Sequence, residues 1–199
     1  MDATNVYVHS TAEVSKDAVV GKGTSIWKQV QIREDAKVGD NCIIGKGVYI
    51  DFGVVIGSNV KIQNDVNLYH GTVVEDGVFI GPTVCFTNDK IPRAISPSGR
   101  LKTEADWSVG RILVKCGASI GGCSVILPDV TIGRFAMIGA GSVVTHDIPD
   151  YGLAYGNPAS LRGFVCECGN RLRHVAGAES TGLFECTVCG KRITIQSSI

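Results

Sequence analysis

An apolar side chain recurs at every sixth residue over most of this chain. From Val8 the step lands on Val14, Val20, Ile26, Ile32, Val38, Ile44, Ile50, Ile56, Ile62, Leu68, Val74, Ile80 and Phe86. It resumes at Val114 and continues through Ile120, Ile126, Ile132, Ile138 and Val144. Four residues after each aliphatic the side chain is mostly small or β-branched, as at Ala12, Ala18, Thr24, Ala36, Cys42, Val48 and Val54. Glycine often follows the aliphatic directly, as at Gly21, Gly39, Gly45, Gly57 and Gly81. A period of six matches neither the 3.6 of a helix nor the 2 of a strand. It matches a short strand plus a turn, repeated. Such a unit cannot bury its own apolar face, so the units must stack into a solenoid.

Composition agrees. The 199 residues include 25 glycines, and aromatics make up only 7%, which suits tight turns around a core of small aliphatics. The formal net charge is zero, so no basic field gathers nucleic acid. No apolar run approaches the ~20 residues of a membrane span, and the start MDATNVYVHS lacks a signal-peptide pattern. These features read as a soluble, cytoplasmic protein with no nucleic-acid or membrane partner. In that reducing compartment the eight cysteines are expected as thiols or metal ligands.

The repeat, together with IQNDVNLYHGTVVEDGVFIGP, FTNDKIPRA (Phe86 to Ala94), GASIGG (Gly117 to Gly122) and IGAGSVVTHDIPDYGLAYGNPA (Ile138 to Ala159), resembles the hexapeptide-repeat acyltransferases. Within them it is similar to nucleotide-sugar N-acetyltransferases, above all those acting on the 3-amino group of UDP-2-acetamido-3-amino-2,3-dideoxyglucuronate. Relatives with this pattern act on dTDP-3-amino-3,6-dideoxyhexoses. The resemblance implies an all-β, left-handed parallel β-helix, a triangular prism with three hexads per coil. It also implies acetyl-CoA as cosubstrate, a role in surface polysaccharide biosynthesis, and a homotrimer with each site between two subunits.

With three hexads per coil, residues 18 apart stack at the parallel-strand spacing of roughly 4.8 Å. His70 and Asn88 then share a column with Glu34 and Phe52, beside a column of Arg33, Asp51, Tyr69 and Thr87. Thr87 to Gly110 breaks the period with two prolines, four basic residues and a tryptophan, and is expected as a substrate-enclosing loop at a corner of the prism. Acyl transfer to an amine needs an acceptor that aims the amine and a group that takes its proton. Asn88 matches the asparagine that the resemblance places at the acceptor amine, and His70 is the candidate base. Tyr69, Glu75, Asp89, Lys90 and Arg93 are candidate acceptor contacts. By resemblance, the coils at Ala118, Gly139 and Ala140, with His146 and Arg162, are where acetyl-CoA runs.

After GNPASLRGF the period is gone. Cys166-x-Cys168-Gly and Cys186-x-x-Cys189-Gly, separated by 17 residues, form a four-thiolate Zn2+ ligand set by spacing, structural because four thiolates leave no open position. The short first gap keeps His174 as an outside ligand candidate. The expected organisation is a β-helix over 6–150 with an inserted loop at 87–110, a connector at 151–165 and a zinc-ribbon-like tail at 166–199. Two rival functions are a γ-class carbonic anhydrase and a non-catalytic assembly subunit. The first needs three zinc-binding histidines, and the middle coils hold only His70.

Overall fold

The computed structural model describes residues 5–176 and 182–195, so 177–181 and 196–199 of the tail lie outside it. Two-residue strands dominate, and they assemble into three parallel sheets, one per face of a coil. The first face carries Tyr7–Val8, Ser25–Ile26, Ile43–Ile44, Lys61–Ile62, Phe79–Ile80, Ser119–Ile120 and Met137–Ile138. The second carries Glu13–Val14, Gln31–Ile32, Tyr49–Ile50, Asn67–Leu68, Cys85–Phe86, Val125–Ile126 and Val143–Val144. The third carries Val19–Val20, Lys37–Val38, Val55–Ile56, Thr72–Val74, Ile112–Val114 and Val130–Ile132. Partners are 18 residues apart, as in Ile26 with Ile44 and Ile44 with Ile62. The expected column spacing therefore holds.

The last residue of each of these strands points inward, and from Ile26 on it is buried at every step of six. The small residue four positions later lies inside as well: Ala36, Cys42, Val48 and Ala118 are each fully buried. Between strands the chain must turn sharply. Every sixth residue from Gly23 to Thr83, and again from Gly117 to Gly141, has a positive φ of 52° to 93°. Glycine, asparagine and aspartate, which tolerate this region, fill all but Gln29, Thr83, Cys123 and Phe135. Thr83 is β-branched, and φ is 58° there. Thr83→Asn should raise the unfolding midpoint by roughly 2–4 °C, equivalent to about 1 kcal/mol. A lower midpoint in thermal denaturation would show that the Thr83 hydroxyl, on Pro82 O at 2.7 Å and beside Cys123 Sγ at 3.0 Å, outweighs the strain.

Across the insertion, partners are 40 residues apart instead of 18: Thr72 with Ile112, Phe79 with Ser119 and Cys85 with Val125. The insertion thus adds 22 residues and returns the chain to its register. Its base is closed by the Gly110 N–H on Asn88 O at 2.9 Å. The expected connector, 151–165, is more regular than that word implies. Gly152–Gly156 extends the first face beside Met137–Ile138, and Ala159–Phe164 folds back on it antiparallel. The tail forms a three-stranded antiparallel sheet of Leu172–His174, Leu183–Cys186 and Arg192–Thr194 with its own small core. Tyr151 and Phe164 pack against that core. Among the described residues there is no α-helix, and none long and apolar enough to cross a membrane.

Candidate functional site

The edge between the second and third faces gathers the polar cluster. Asp51 is buried, at 6% exposure. Its Oδ1 accepts from Arg33 Nη1 at 2.9 Å, the Tyr49 hydroxyl at 2.8 Å and the Phe52 N–H at 2.9 Å; its Oδ2 accepts the His70 N–H at 3.1 Å. Burial works against the charged carboxylate, but the Phe52 N–H, Tyr49, the His70 N–H and Arg33 together hold its pKa below the ordinary range. Arg33 also pairs with Glu34 and lies over the Phe52 ring at 5.1 Å.

One rung on, the His70 ring stacks on Phe52, with centroids 4.0 Å apart and planes 12° apart. His70 Nδ1 lies 2.8 Å from Phe52 O, and Asn88 Nδ2 donates to His70 O at 3.4 Å. Glu34, Phe52, His70 and Asn88 thus form the expected column. The 40-residue step continues it through Pro128 to His146, because Phe86, Ile126 and Val144 are in register. Tyr69 sits beside the cluster, its ring centroid 5.7 Å from that of Tyr49.

The loop contributes a cleft of about 340 Å³ lined by Asp89, Lys90, Lys102, Trp107 and Gly110, among others. The cleft adjoins the cluster: Gly110 is bonded to Asn88, and a Cβ on Gly71 would meet Gly110 O at 2.6 Å. Asp89 Oδ1 accepts the Ile91 N–H at 2.8 Å, and Lys90 pairs with Asp129 at 2.9 Å. Arg93 is exposed, reaches only Pro92 O and does not line the cleft.

Three expected site residues stand elsewhere. Glu75 lies at the edge between the third and first faces, where its Oε2 accepts the Cys116 N–H at 2.8 Å; it bridges two coils instead of joining the His70 cluster. Ala118 is inside the prism, its N–H on Lys115 O and its carbonyl accepting the Phe79 N–H. His146 is exposed and bonded to Thr145 at 2.8 Å, on the His70 edge and away from Gly139 and Ala140. Those two residues occupy the edge between the first and second faces. Gly139 packs under Tyr155, whose Cβ would lie 2.7 Å from an added Cβ, and Arg162 lies over the Tyr155 ring at 5.7 Å. Gly139, Ala140 and Arg162 therefore belong to one region of the chain, His70 and Asn88 to another.

In the tail the four ligand atoms of Cys166, Cys168, Cys186 and Cys189 all lie within 4.8 Å of one another. Cys166–Cys189 and Cys168–Cys186 are each 3.6 Å apart. Zn–S bonds of ~2.3 Å in a tetrahedron require sulfurs roughly 3.8 Å apart; a disulfide requires ~2.05 Å. The Gly169 N–H donates to Cys166 O and the Gly190 N–H to Cys186 O, the tight turns each thiol pair needs. His174 stands outside the group, its ring 4.0 Å from that of Phe184.

Asp51 is the residue that a reading by motif passes over. Asp51→Asn keeps the volume but weakens four acceptor contacts and leaves Arg33 short of a counter-charge. Because Arg33 is 38% exposed, water softens the loss, and the expected destabilisation is about 1–3 kcal/mol. Thermal denaturation of the variant checks this; an unchanged midpoint would show that Asp51 does not brace the edge.

The bacterial transferase hexapeptide repeat (six repeats) matches residues 17–51 and 53–88, and the hexapeptide repeat of succinyl-transferase matches 35–69. A dTDP-3-amino-3,6-dideoxy-α-D-galactopyranose 3-N-acetyltransferase of Aneurinibacillus thermoaerophilus is 60% identical over 68 residues, 34% of this chain and 35% of that protein. The match thus spans about a third of the relative's length. A hexapeptide-repeat acetyltransferase of Vibrio cholerae O1 biovar eltor, VCA0836, solved with acetyl coenzyme A, superposes with a TM-score of 0.56 at 26% identity, covering 66% of this chain and 72% of that one. LpxA, a UDP-N-acetylglucosamine acyltransferase of Bacteroides fragilis 9343, shares the fold with a TM-score of 0.65 at 19% identity, covering 80% of this chain and 61% of that one. Over residues 17–88 the repeat is thus similar to that of the bacterial hexapeptide transferases, and the three-faced solenoid it builds is the fold those structures share.

Proposed function

We propose that the chain is an acetyl-CoA-dependent N-acetyltransferase that acetylates the 3-amino group of a nucleotide-linked amino sugar in surface polysaccharide biosynthesis. The observation that carries the reading is the contact of His70 Nδ1 with Phe52 O. A carbonyl only accepts, so in the neutral ring the proton stays on Nδ1 and the lone pair is left on Nε2. Asn88 spends its Nδ2 on His70 O, which leaves Oδ1 to accept from the substrate amine and aim its lone pair. Bound acetyl-CoA supplies the acetyl thioester. As the amine nitrogen bonds to the acetyl carbon and the C–S bond breaks, His70 Nε2 takes the amine proton.

The strong local identity to the dTDP-3-amino sugar enzyme favours a dTDP-3-amino-3,6-dideoxyhexose as acceptor over UDP-2-acetamido-3-amino-2,3-dideoxyglucuronate. Because Gly139, Ala140 and Arg162 lie on a different edge from His70 and Asn88, a single chain does not unite donor and acceptor groups. A ring of three left-handed prisms, each setting one edge against its neighbour's other edge, does so through a closed heterologous contact. Tyr69, Asp89 and Lys90 face the acceptor in this reading. The tail thiolates hold a structural Zn2+, which fits their spacing.

CoA release by the purified chain, measured with both amino-sugar nucleotides and with simple amines, tests the proposal. Release with a 3-amino-sugar nucleotide supports it. Acetyl-CoA binding without release from any of them would point to a non-catalytic assembly subunit.

A further inference from the structure

On the edge between the first and second faces, three coils line up a ladder of side chains that the proposed chemistry leaves unused. Lys28, Lys46 and Asn64 occupy equivalent positions on successive coils, because Ile26, Ile44 and Ile62 are in register. The Gly47 N–H on Lys28 O at 3.0 Å and the Lys46 N–H on Asn64 Oδ1 at 3.0 Å fix the stacking. The two lysines therefore rise from backbones roughly 4.8 Å apart. Like charges on adjacent strands repel, yet neither ammonium has an ion-pair partner among the described residues. Beside them is a recess of about 280 Å³, lined by Trp27, Ile43, Gln63 and the ladder itself, with no carboxylate in its wall. Trp27 is 41% exposed and packs at a 60° tilt against Tyr7, whose ring centroid lies 5.6 Å away.

We infer that this recess binds a nucleoside diphosphate, with the base on the Trp27 indole and the pyrophosphate on Lys28 and Lys46. An indole face stacks on any base, and paired ammoniums suit a diphosphate's adjacent charges. Asn64 lies on the coil that carries His70, with Lys46 and Lys28 one and two coils below. Assigning the ligand to the nucleotide of the amino-sugar acceptor rests on the function proposed above and on its ring of three. Base and pyrophosphate also occur in CoA, so the two sources must be separated.

The test is fluorescence titration of Trp107→Phe protein, in which Trp27 is the remaining indole, with dTDP, UDP, dTMP, CoA and adenosine 3′,5′-bisphosphate. Saturable quenching by dTDP or UDP, weaker with dTMP, is expected. In the Lys28→Ala/Lys46→Ala variant the affinity should fall roughly tenfold or more. Both lysines are exposed, so the fold should persist, as circular dichroism would verify. Quenching by CoA and the bisphosphate but not by dTDP or UDP would overturn the acceptor assignment. No quenching by any nucleotide, or unchanged affinity in the double variant, would overturn the site. Because binding is read without turnover, a failed acetyltransfer assay would leave this result standing on its own.

Discussion

Replacing His70 by asparagine should lower kcat for N-acetylation by roughly 10²- to 10⁴-fold, the usual contribution of a positioned general base. The KM for acetyl-CoA should stay within about twofold, because the lost interaction forms only as the amine gives up its proton. The structural case rests on how the ring is held. Its backbone N–H is anchored on a buried carboxylate, its Nδ1 on a backbone carbonyl and its face on Phe52. Each contact fixes a different degree of freedom, and together they aim Nε2 away from the prism wall. Asparagine retains hydrogen-bonding capacity but presents no lone pair of comparable basicity. The fold should tolerate the change, since an aromatic stack at a corner contributes only about 0.5–1.5 kcal/mol. Asn88→Ala should also lose turnover far more than acetyl-CoA affinity, and the two changes together should cost less than the product of the single losses, since they serve one step. A His70→Asn enzyme with near-normal turnover would remove the imidazole from the chemistry and hand the proton to the departing thiolate.

The column that unites these residues is legible in the sequence, because each strand position facing the axis admits only an apolar side chain, and that demand repeats without slippage from Val8 to Phe86. What lies beyond the insertion is not. Twenty-two added residues are a multiple of neither six nor 18, so the sequence alone does not align Pro128 and His146 with Asn88, and the structure puts His146 on the His70 edge of its own chain. Glu75 failed for a related reason: a step of six tells which residues face outward, but the edge also depends on position within the coil. The burial of the Ala118 side chain follows from the chain's own rule, since the residue four after an inward aliphatic packs inside, as Ala36 and Cys42 do. The left-handed corners were legible only in part. Glycine, asparagine and aspartate mark most of them, while Gln29, Thr83, Cys123 and Phe135 are carried into that conformation by the stacked coils. The column reading places Asp51 beside His70 but gives it no role, because half of its work is to accept from the Phe52 and His70 N–H groups, and no motif records a backbone partner.

Removing the zinc proposed for the tail should unfold the tail and leave the prism standing. Elemental analysis of purified protein should find one zinc per chain, and Cys186→Ser/Cys189→Ser should abolish it. The tail core consists of Leu172, Phe184, Ile193 and Ile195 together with Cys166 and Cys186, so two of its six buried residues are themselves thiols of the cluster. So small a core cannot offset the chain entropy of its own ordering. A four-thiolate zinc site contributes on the order of 10–16 kcal/mol at neutral pH, more than the whole stability of many domains. Without metal, burial pushes the Cys166 thiol up to about 12, so the apo tail would hold a neutral thiol where zinc requires a thiolate. The coils have no such dependence. Their last strand, Gly152–Gly156, is paired with Met137–Ile138 on one side and Ala159–Phe164 on the other. Limited proteolysis of the double variant should therefore cut beyond Phe164 and release a stable core beginning near the N-terminus, while Cys123→Ser, at an exposed corner far along the sequence from the cluster, should keep its zinc and its tail. A metal-free tail as resistant to protease as the wild type would show that Phe164, Tyr151 and the small core suffice, and that the four sulfurs stand together without an ion to bind them.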